Sequence, residues 1–367
     1  MHICFFGAWD PDYPRSSIIR AGLEACGAKV SACWIPRGYK FWLRYPRLLA
    51  RSWSACRGAD VLFVPEFCQK DVPLAKLVAR LFGLRLVHDP LASRYETKIV
   101  DWKRKPPSSW QARWNRVIDR MSFKWPDLIL ADTAAHAEYF RGEFGLSPAK
   151  TAVLPVGYDD RMFSSQAVAT SPAAPGPFTV LFTGSFLPLH GVEAIVEAAG
   201  LVARRDKTVS FRLVGGGQTF DRALRLAADL GLNNISFEGW SSLKDLPAKI
   251  RQADLCLGIF GRTEKTARVV PHKIFQAMGS GRPVVSSRTP AAEEFFTHGE
   301  NIILCPEPYA ETLAEAILRL KSDSQLRNRI ALNGLELVRK KYSPQALSLV
   351  LLNTLKAHFR PQARGKD

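Results

Sequence analysis

An α/β chain of two parallel-sheet domains is predicted by three observations. Short apolar runs alternate with stretches long enough for crossover helices; several runs are apolar at consecutive positions, as strands covered on both faces are; and AVATSPAAPGP at 167–177 interrupts the alternation. At 367 residues the chain exceeds one comfortable core. The expected division is therefore 1–166, a linker at 167–177, a second domain at 178–342, and a C-terminal helix and tail at 343–367.

Taken in order, the first domain offers strands at Ile3–Gly7, Lys29–Trp34, Val61–Val64, Leu84–His88, Leu128–Ala131 and Ala152–Pro155. The second restarts with Phe178–Thr183, Ser210–Val214, Ile235–Phe237, Asp254–Phe260, Pro283–Ser286 and Ile302–Leu304. Each is a β-branched or aromatic run bounded by glycine, proline or polar residues. Ser343–His358 carries a long helical pattern.

Composition excludes several classes. Apolar content of 47% and charged content of 23% are those of a globular chain, and no apolar run reaches the roughly 20 residues that span a bilayer. MHICFFGAWDPDYPR has no basic leader and reads as a first strand, so a cytoplasmic protein is expected. The seven cysteines are scattered without a C-x-x-C pair, which argues for reduced thiols and against a zinc site. The net charge of +17 splits almost evenly, about +9 over residues 1–165 and +8 beyond, so no basic tail dominates. Locally, 34–57 interleaves Arg37, Lys40, Arg44, Arg47, Arg51 and Arg57 with Trp34, Tyr39, Phe41, Trp42, Tyr45 and Trp53, without an acid. A second segment, 102–125, sets Lys103, Arg104, Lys105, Arg113, Arg116, Arg120 and Lys124 among Trp102, Trp110, Trp114, Phe123 and Trp125, against Asp119 alone. Tryptophan beside cations suits an anionic membrane surface, with the protein held peripherally on the inner face of the cytoplasmic membrane. Single-stranded nucleic acid would use the same chemistry but is the lesser expectation, and inward-packed aromatics beneath solvated cations are the bland alternative.

The chemistry concentrates in ADLCLGIFGRTEKTARVVPHKIFQAMGSGRPVVSS, residues 253–287, which reads as strand, charged loop, helix and second strand. Leu255–Phe260 looks like a strand buried on both faces, and Pro271 fits the first helical position. Lys265, Arg268, His272 and Lys273 then gather around a helix N-terminus, where fixed cations and unpaired N–H groups favour a diphosphate.

This stretch resembles the donor-binding core of the retaining family 4 glycosyltransferases. The resemblance implies the GT-B fold, two Rossmann-like domains facing a cleft, with the C-terminal helix crossing back to the first. It implies sugar transfer with retention from a nucleoside diphosphate sugar to a glycan or glycolipid acceptor, without a metal or other cofactor, and with domain closure excluding water. The family's "E-A-M-A-x-G-x-P-V" run corresponds to Gln276, Ala277, Met278, Gly279, Ser280, Gly281, Arg282, Pro283 and Val284. Gln276 thus replaces the second family glutamate and Arg268 the first; an amide still bonds ribose hydroxyls, whereas a guanidinium accepts no bond.

Two glycine turns follow strands, Thr183–Gly191 and Gly215–Gln218. In the first, Ser185 and His190 stand where the family usually has arginine and lysine; the resemblance makes Gly184, Ser185, Gly191, Gly215 and Gly217 donor contacts. His190 either donates to a phosphate or the reacting sugar, or caps the next helix. Trp240 either stacks on the donor base or belongs to the core, and Glu294 either touches the donor or is a solvated helix carboxylate. In the first domain the loop GAWDPDYPR supplies Tyr13 and Arg15 as acceptor-side candidates. His88 and Asp89 match a family "His-Asp" position facing the sugar, with Asp89 orienting the histidine; a satisfied core histidine is the alternative. Asp10 and Asp12 spell D-x-D but stand far from the donor motifs, and metal chelation is not expected. Gly157, Tyr158, Asp159 and Phe163 resemble the family's hinge segment. Residues 3–10 lack the G-x-G-x-x-G of a dinucleotide-dependent oxidoreductase. A catalytically inert partner subunit stays open, because both family glutamates are replaced.

Overall fold

The computed structural model describes residues 1–164, 176–307 and 309–359, so most of the expected linker 167–177 lies outside the described residues. The chain divides into two compact units, one formed by residues 1–155 with the chain from Pro344 on, the other by Val156–Ser343.

The first unit contains β1 (His2–Gly7), α1 (Pro14–Ala25), β2 (Lys29–Trp34), α2 (Phe41–Ala55), β3 (Val61–Val64), α3 (Val72–Phe82), β4 (Arg85–His88), α4 (Trp110–Lys124), β5 (Leu128–Ala131), α5 (Ala134–Phe144) and β6 (Thr151–Val153). Its strands pair in parallel in the order β2-β1-β3-β4-β5-β6. β1, β3 and β5 are buried at every position, which is why their sequences run apolar without alternation, while the edge strand β2 is largely uncovered. Phe5 packs on Phe63 with ring centroids 4.7 Å apart, and Phe123 stacks on Phe144 at 4.0 Å.

The second unit contains β7 (Phe178–Ser185), α6 (Val192–Arg205), β8 (Val209–Gly216), α7 (Phe220–Asp229), β9 (Ile235–Glu238), α8 (Leu246–Gln252), β10 (Leu255–Leu257), α9 (His272–Gly279), β11 (Val284–Ser287), α10 (Pro290–Phe295), β12 (Ile303–Cys305), α11 (Tyr309–Ser322) and α12 (Ser324–Lys341). The six strands are parallel in the order β12-β11-β10-β7-β8-β9. A core of Phe182, Phe186, Val192, Ile195, Phe211, Leu255 and Leu313 fills the space between sheet and helices. α13 (Pro344–His358) returns to the first unit and packs on α1. Gly22 permits this approach, since a Cβ there would lie 1.9 Å from the Pro344 carbonyl oxygen.

The structure departs from the sequence reading at three places. Of the expected strand 254–260, Leu255–Phe260 is buried throughout, but its ladder stops at Leu257; the Phe260 N–H instead donates to the His190 carbonyl at 2.9 Å, peeling the chain toward the turn after β7. Pro271 is the extended residue preceding α9, not its first helical residue. The segment expected to end the first domain packs in the second unit. Gly157 O meets His272 Nδ1 at 3.1 Å, the Tyr158 N–H donates to Tyr342 O at 3.3 Å, and Gly279 leaves room for the Tyr158 ring.

Candidate active site

In the second sheet, connections after β7 run one way and those after β10 the other. The carboxyl ends of β7 and β10 therefore form a topological switch point, where ligands of open parallel sheets bind. Lys273, in the first turn of α9, folds into this point. Its Nζ lies 3.8 Å from the centroid of the Phe182 ring, is buried, and has no hydrogen-bond partner. Burial holds its ammonium well below the usual lysine range. Gly184 makes the pose possible: its φ is +129°, and a Cβ there would stand 3.0 Å from Lys273 Nζ. Gly215 is equally constrained, because its Cβ would fall 1.9 Å from Gly184 O. Gly191 and Gly217 likewise bring backbone against Phe260 and Phe186.

His190 lies buried in the same turn, with its Nδ1 against the Ser185 carbonyl. A carbonyl accepts, so Nδ1 carries the proton. Burial, Lys273 and Lys265 together push His190 well below the usual histidine value and keep it neutral, which leaves Nε2 as an acceptor. His190 therefore suits a sugar hydroxyl and not, as the sequence suggested, donation to a phosphate. Nor does it cap the following helix, whose N-cap is Gly191.

Lys265 is buried nearby in the loop after β10. Gln276 is buried one turn after Lys273 on the same side of α9. Arg268 pairs with Glu264 at 3.5 Å, and His272 turns away to Gly157. Trp240 is not core: it is 68% exposed, and its indole borders Gly216 at the end of β8. Glu294 is exposed on α10, its charge joining burial in raising the Tyr342 hydroxyl to about 12. The structure thus gathers Gly184, Ser185, His190, Gly191, Gly215, Gly217, Lys265 and Lys273, with Trp240 at the margin, and leaves Glu294 on the surface.

In the first unit the corresponding switch point lies between β1 and β3. Tyr13 is half-buried here, packed edge-on against Phe67 with ring centroids 5.3 Å apart. Arg15 is not a surface contact. It is fully buried, donating from Nε to Asp89 Oδ2 at 2.5 Å, from Nη1 to Pro155 O and from Nη2 to Leu154 O. Asp89 accordingly binds Arg15 and does not orient His88. His88 is a fully buried histidine whose Nδ1 donates to Val64 O at 3.0 Å, and burial lowers it to about 4. Its Nε2 is left without a partner, a buried acceptor at the end of β4. Asp10 closes a turn by accepting from the Asp12 N–H, and no group of three or more His, Cys, Asp or Glu side chains is placed to hold a metal ion among the described residues.

Sequence reasoning missed Glu66. It follows β3 by two positions, is wholly buried, accepts from Ser16 Oγ at 2.9 Å and leaves Oε2 unpartnered. Burial and Asp89 raise its carboxyl to about 8. Only strand order could have found it, since it becomes notable once β3 is known to sit beside β1. Between the unfolded glutamate value near 4.3 and about 8, the folded chain holds a proton that the unfolded chain has lost. Stability contributed this way falls with rising pH by up to about 1.4 kcal/mol per pH unit, and Glu66→Gln is expected to flatten that slope. Urea midpoints measured from about pH 5 to about pH 8 check it; an unchanged slope in the variant would exclude Glu66 as its source.

The aromatic–basic segments divide. Phe123 is core and the Trp34 indole donates to Trp9 O, whereas Trp53 and Trp110 are each 70% exposed and Trp42, Trp114 and Trp125 are exposed too. α3 packs against both α2 and α4, and adds exposed Leu77 and Leu81.

Two six-stranded parallel sheets flanked by helices, with glycine turns and buried cations at the second switch point, define a GT-B architecture. A family model described as "Glycosyl transferase 4-like domain" matches residues 3–157, and one described as "Glycosyl transferases group 1" matches 177–323. The chain belongs to the glycosyltransferases of the GT-B fold. It is similar to a lipopolysaccharide core biosynthesis glycosyltransferase, LpsE, of Rhizobium meliloti, 28% identical over 48% of this chain and 49% of that protein. It is also similar to the alpha-D-kanosaminyltransferase of Streptomyces kanamyceticus, 29% identical over 89% of this chain and 81% of that one. The match to LpsE thus spans about half of that relative's length. Among solved structures, Anabaena HepE in complex with UDP-glucose superposes with a TM-score of 0.70 at 20% identity, over 97% of this chain and all of that one. WaaG, a glycosyltransferase involved in lipopolysaccharide biosynthesis, gives 0.65 at 17% identity, over 98% of this chain and all of that one.

Proposed function

We propose that this protein is a retaining family 4 glycosyltransferase that moves a sugar from a nucleoside diphosphate sugar to a hydroxyl of a membrane-associated glycan in surface-polysaccharide assembly. The observation that carries the reading is the buried, unpartnered Lys273 ammonium at the β7/β10 switch point, beside glycine turns whose backbones pack too closely to admit a side chain. A cation held there without a counter-ion gains most from a dianionic ligand whose charge grows as the sugar–oxygen bond breaks. In this reaction the acceptor oxygen bonds to the anomeric carbon on the face that the diphosphate leaves, and the acceptor proton passes to the departing phosphate oxygen. Lys273 and the N–H groups of the glycine turns stabilise that diphosphate, His190 accepts from a sugar hydroxyl, and Trp240 stacks on the base. No protein nucleophile or metal is assigned. HepE with UDP-glucose and the lipopolysaccharide enzymes support the donor class and the pathway by likeness.

Titrating the chain with UDP, GDP and ADP, followed by turnover assays with the sugars of whichever base binds, tests the proposal. Tight binding of one diphosphate with transfer supports it. Binding without transfer favours the inert partner subunit, a reading that Arg268 and Gln276 in the glutamate positions keep alive. Absence of binding sinks the enzyme and favours the inert partner subunit, which would bind nucleotide poorly.

Peripheral attachment at the inner face of the cytoplasmic membrane is part of the proposal, supported by the exposed tryptophans of α2 and α4 among arginines. No helix among the described residues is long and apolar enough to cross a membrane. The chain is expected to sediment with phosphatidylglycerol vesicles and not with phosphatidylcholine vesicles. Trp53→Ala or Trp110→Ala should weaken that binding about tenfold each; equal sedimentation of both variants with wild type would remove the membrane from the proposal.

A further inference from the structure

The loops after β3 and β4 bring together cations that the donor site does not use. A short turn at Gln69–Asp71 is stapled to the loop after β4 by Gln69 Nε2, which donates to Ala92 O at 2.8 Å and to Pro90 O at 3.3 Å. Lys70 projects exposed from this turn, and Arg44 of α2 reaches its Asp71 at 2.7 Å. Across the staple, Arg94 is half-buried, its Nε donating to Asn115 Oδ1 at 3.2 Å. Lys98 follows on a single π-helical turn, Glu96–Asp101, and Arg104 ties its N–H to Lys98 O at 3.0 Å while its guanidinium covers Trp102. Single π-turns recur at functional sites. Leu91 and Lys103, both with positive φ, bracket the segment.

The charges here do not balance. Asp71 is already bonded by Arg44 and the Ala8 N–H, and Asp119 by Ser93 Oγ and the N–H groups of Arg94 and Tyr95; of the two acids on the π-turn itself, Glu96 faces His136 Nε2 at 3.9 Å and Asp101 is buried. Lys70 and Lys98 have no carboxylate partner among the described residues. Burial, with Arg94, Lys70 and Arg104, pushes the Lys98 ammonium down to about 8; burial, with Arg94 and Arg44, lowers Lys70. Like charges held this close on linked loops await an anion.

We propose that Arg44, Lys70, Arg94, Lys98 and Arg104 form a binding site for a phosphate or diphosphate group in the first unit, distinct from the donor pocket of the second. Resting on the transferase reading, the natural bearer of that group is a phosphorylated acceptor; an anionic phospholipid headgroup offers the same chemistry.

Pulse acylation with an amine-selective succinimidyl ester, read by peptide mass spectrometry, reports on Lys98 itself. Near pH 7.5 its free-amine fraction exceeds that of an ordinary lysine by about a hundredfold, and an anion that restores the charge should slow its labelling at least about tenfold. Inorganic pyrophosphate is expected to protect Lys98 in wild type and not in Lys70→Gln or Arg94→Gln. Protection by soluble pyrophosphate assigns the site to a phosphorylated substrate, and protection by phosphatidylglycerol vesicles alone assigns it to the bilayer. Labelling of Lys98 unaffected by both, or protection undiminished in both variants, overturns the site. Because the readout is the Lys98 amine, a chain that protects it yet transfers no sugar refutes the transferase and leaves this site standing.

Discussion

Lys273→Met is expected to abolish nucleotide binding while making the folded chain more stable. Methionine keeps the length and the contact with Phe182 but carries no polar atom that burial leaves unsatisfied. Removing a charged hydrogen-bond donor from a buried anion site costs about 1.5–3 kcal/mol, roughly 10- to 150-fold in affinity, before the lost long-range attraction is added. The stability change has the opposite sign, because the wild-type chain tolerates an uncompensated ammonium. With its folded pKa lowered below the unfolded value, Lys273 binds more protons unfolded than folded. Wild-type stability should therefore rise with pH up to the unfolded lysine range, and the methionine variant should lack that rise. Calorimetric titration with whichever nucleoside diphosphate the wild type binds, and thermal unfolding at neutral and alkaline pH, read the two effects separately. A variant that binds that diphosphate as wild type does would remove Lys273 from the donor site.

Arg15→Leu is expected to cost about 3–5 kcal/mol and to unfold the first unit well before the second. Both partners of the Arg15–Asp89 pair are fully buried, so the variant leaves a carboxylate in the interior and releases the Leu154 and Pro155 carbonyls. The double variant Arg15→Leu, Asp89→Leu should recover most of that loss, since the penalty of Arg15→Leu alone is mainly an unpaired charge and not a missing contact. Two-step thermal unfolding would show it. A double variant no more stable than Arg15→Leu would mean that the carbonyl contacts carry the energy.

The strands were legible because parallel strands covered on both faces write themselves as unbroken apolar runs: β3, VLFV, and β5, LILA, fall where they were read. Glycine turns were legible for the same kind of reason, since Gly215 occupies a space where a Cβ cannot fit and Gly184 holds a φ of +129°. What sequence could not resolve was which partner a polar side chain finds across the fold. Arg15 looked like a loop residue facing a ligand, yet its partner lies 74 positions away. His88 and Asp89, adjacent in sequence, bond to different neighbours because successive strand-end residues point to opposite sides. Glu66 carries no motif, and its raised carboxyl arises from burial beside Asp89, a juxtaposition set by strand order alone.

The packing of α13 on α1 at Gly22 has a bearing on the order in which the chain matures. The second unit is one continuous stretch and can complete itself as soon as Ser343 has left the ribosome. The first emerges earlier but must wait, with α1 lacking its cover at the Ile19 carbonyl and Gly22, until the closing helix is made. A chain stopped short of Pro344 would thus fail in the part that was synthesised first, and a chaperone that shields the uncovered α1 during synthesis would act on that part.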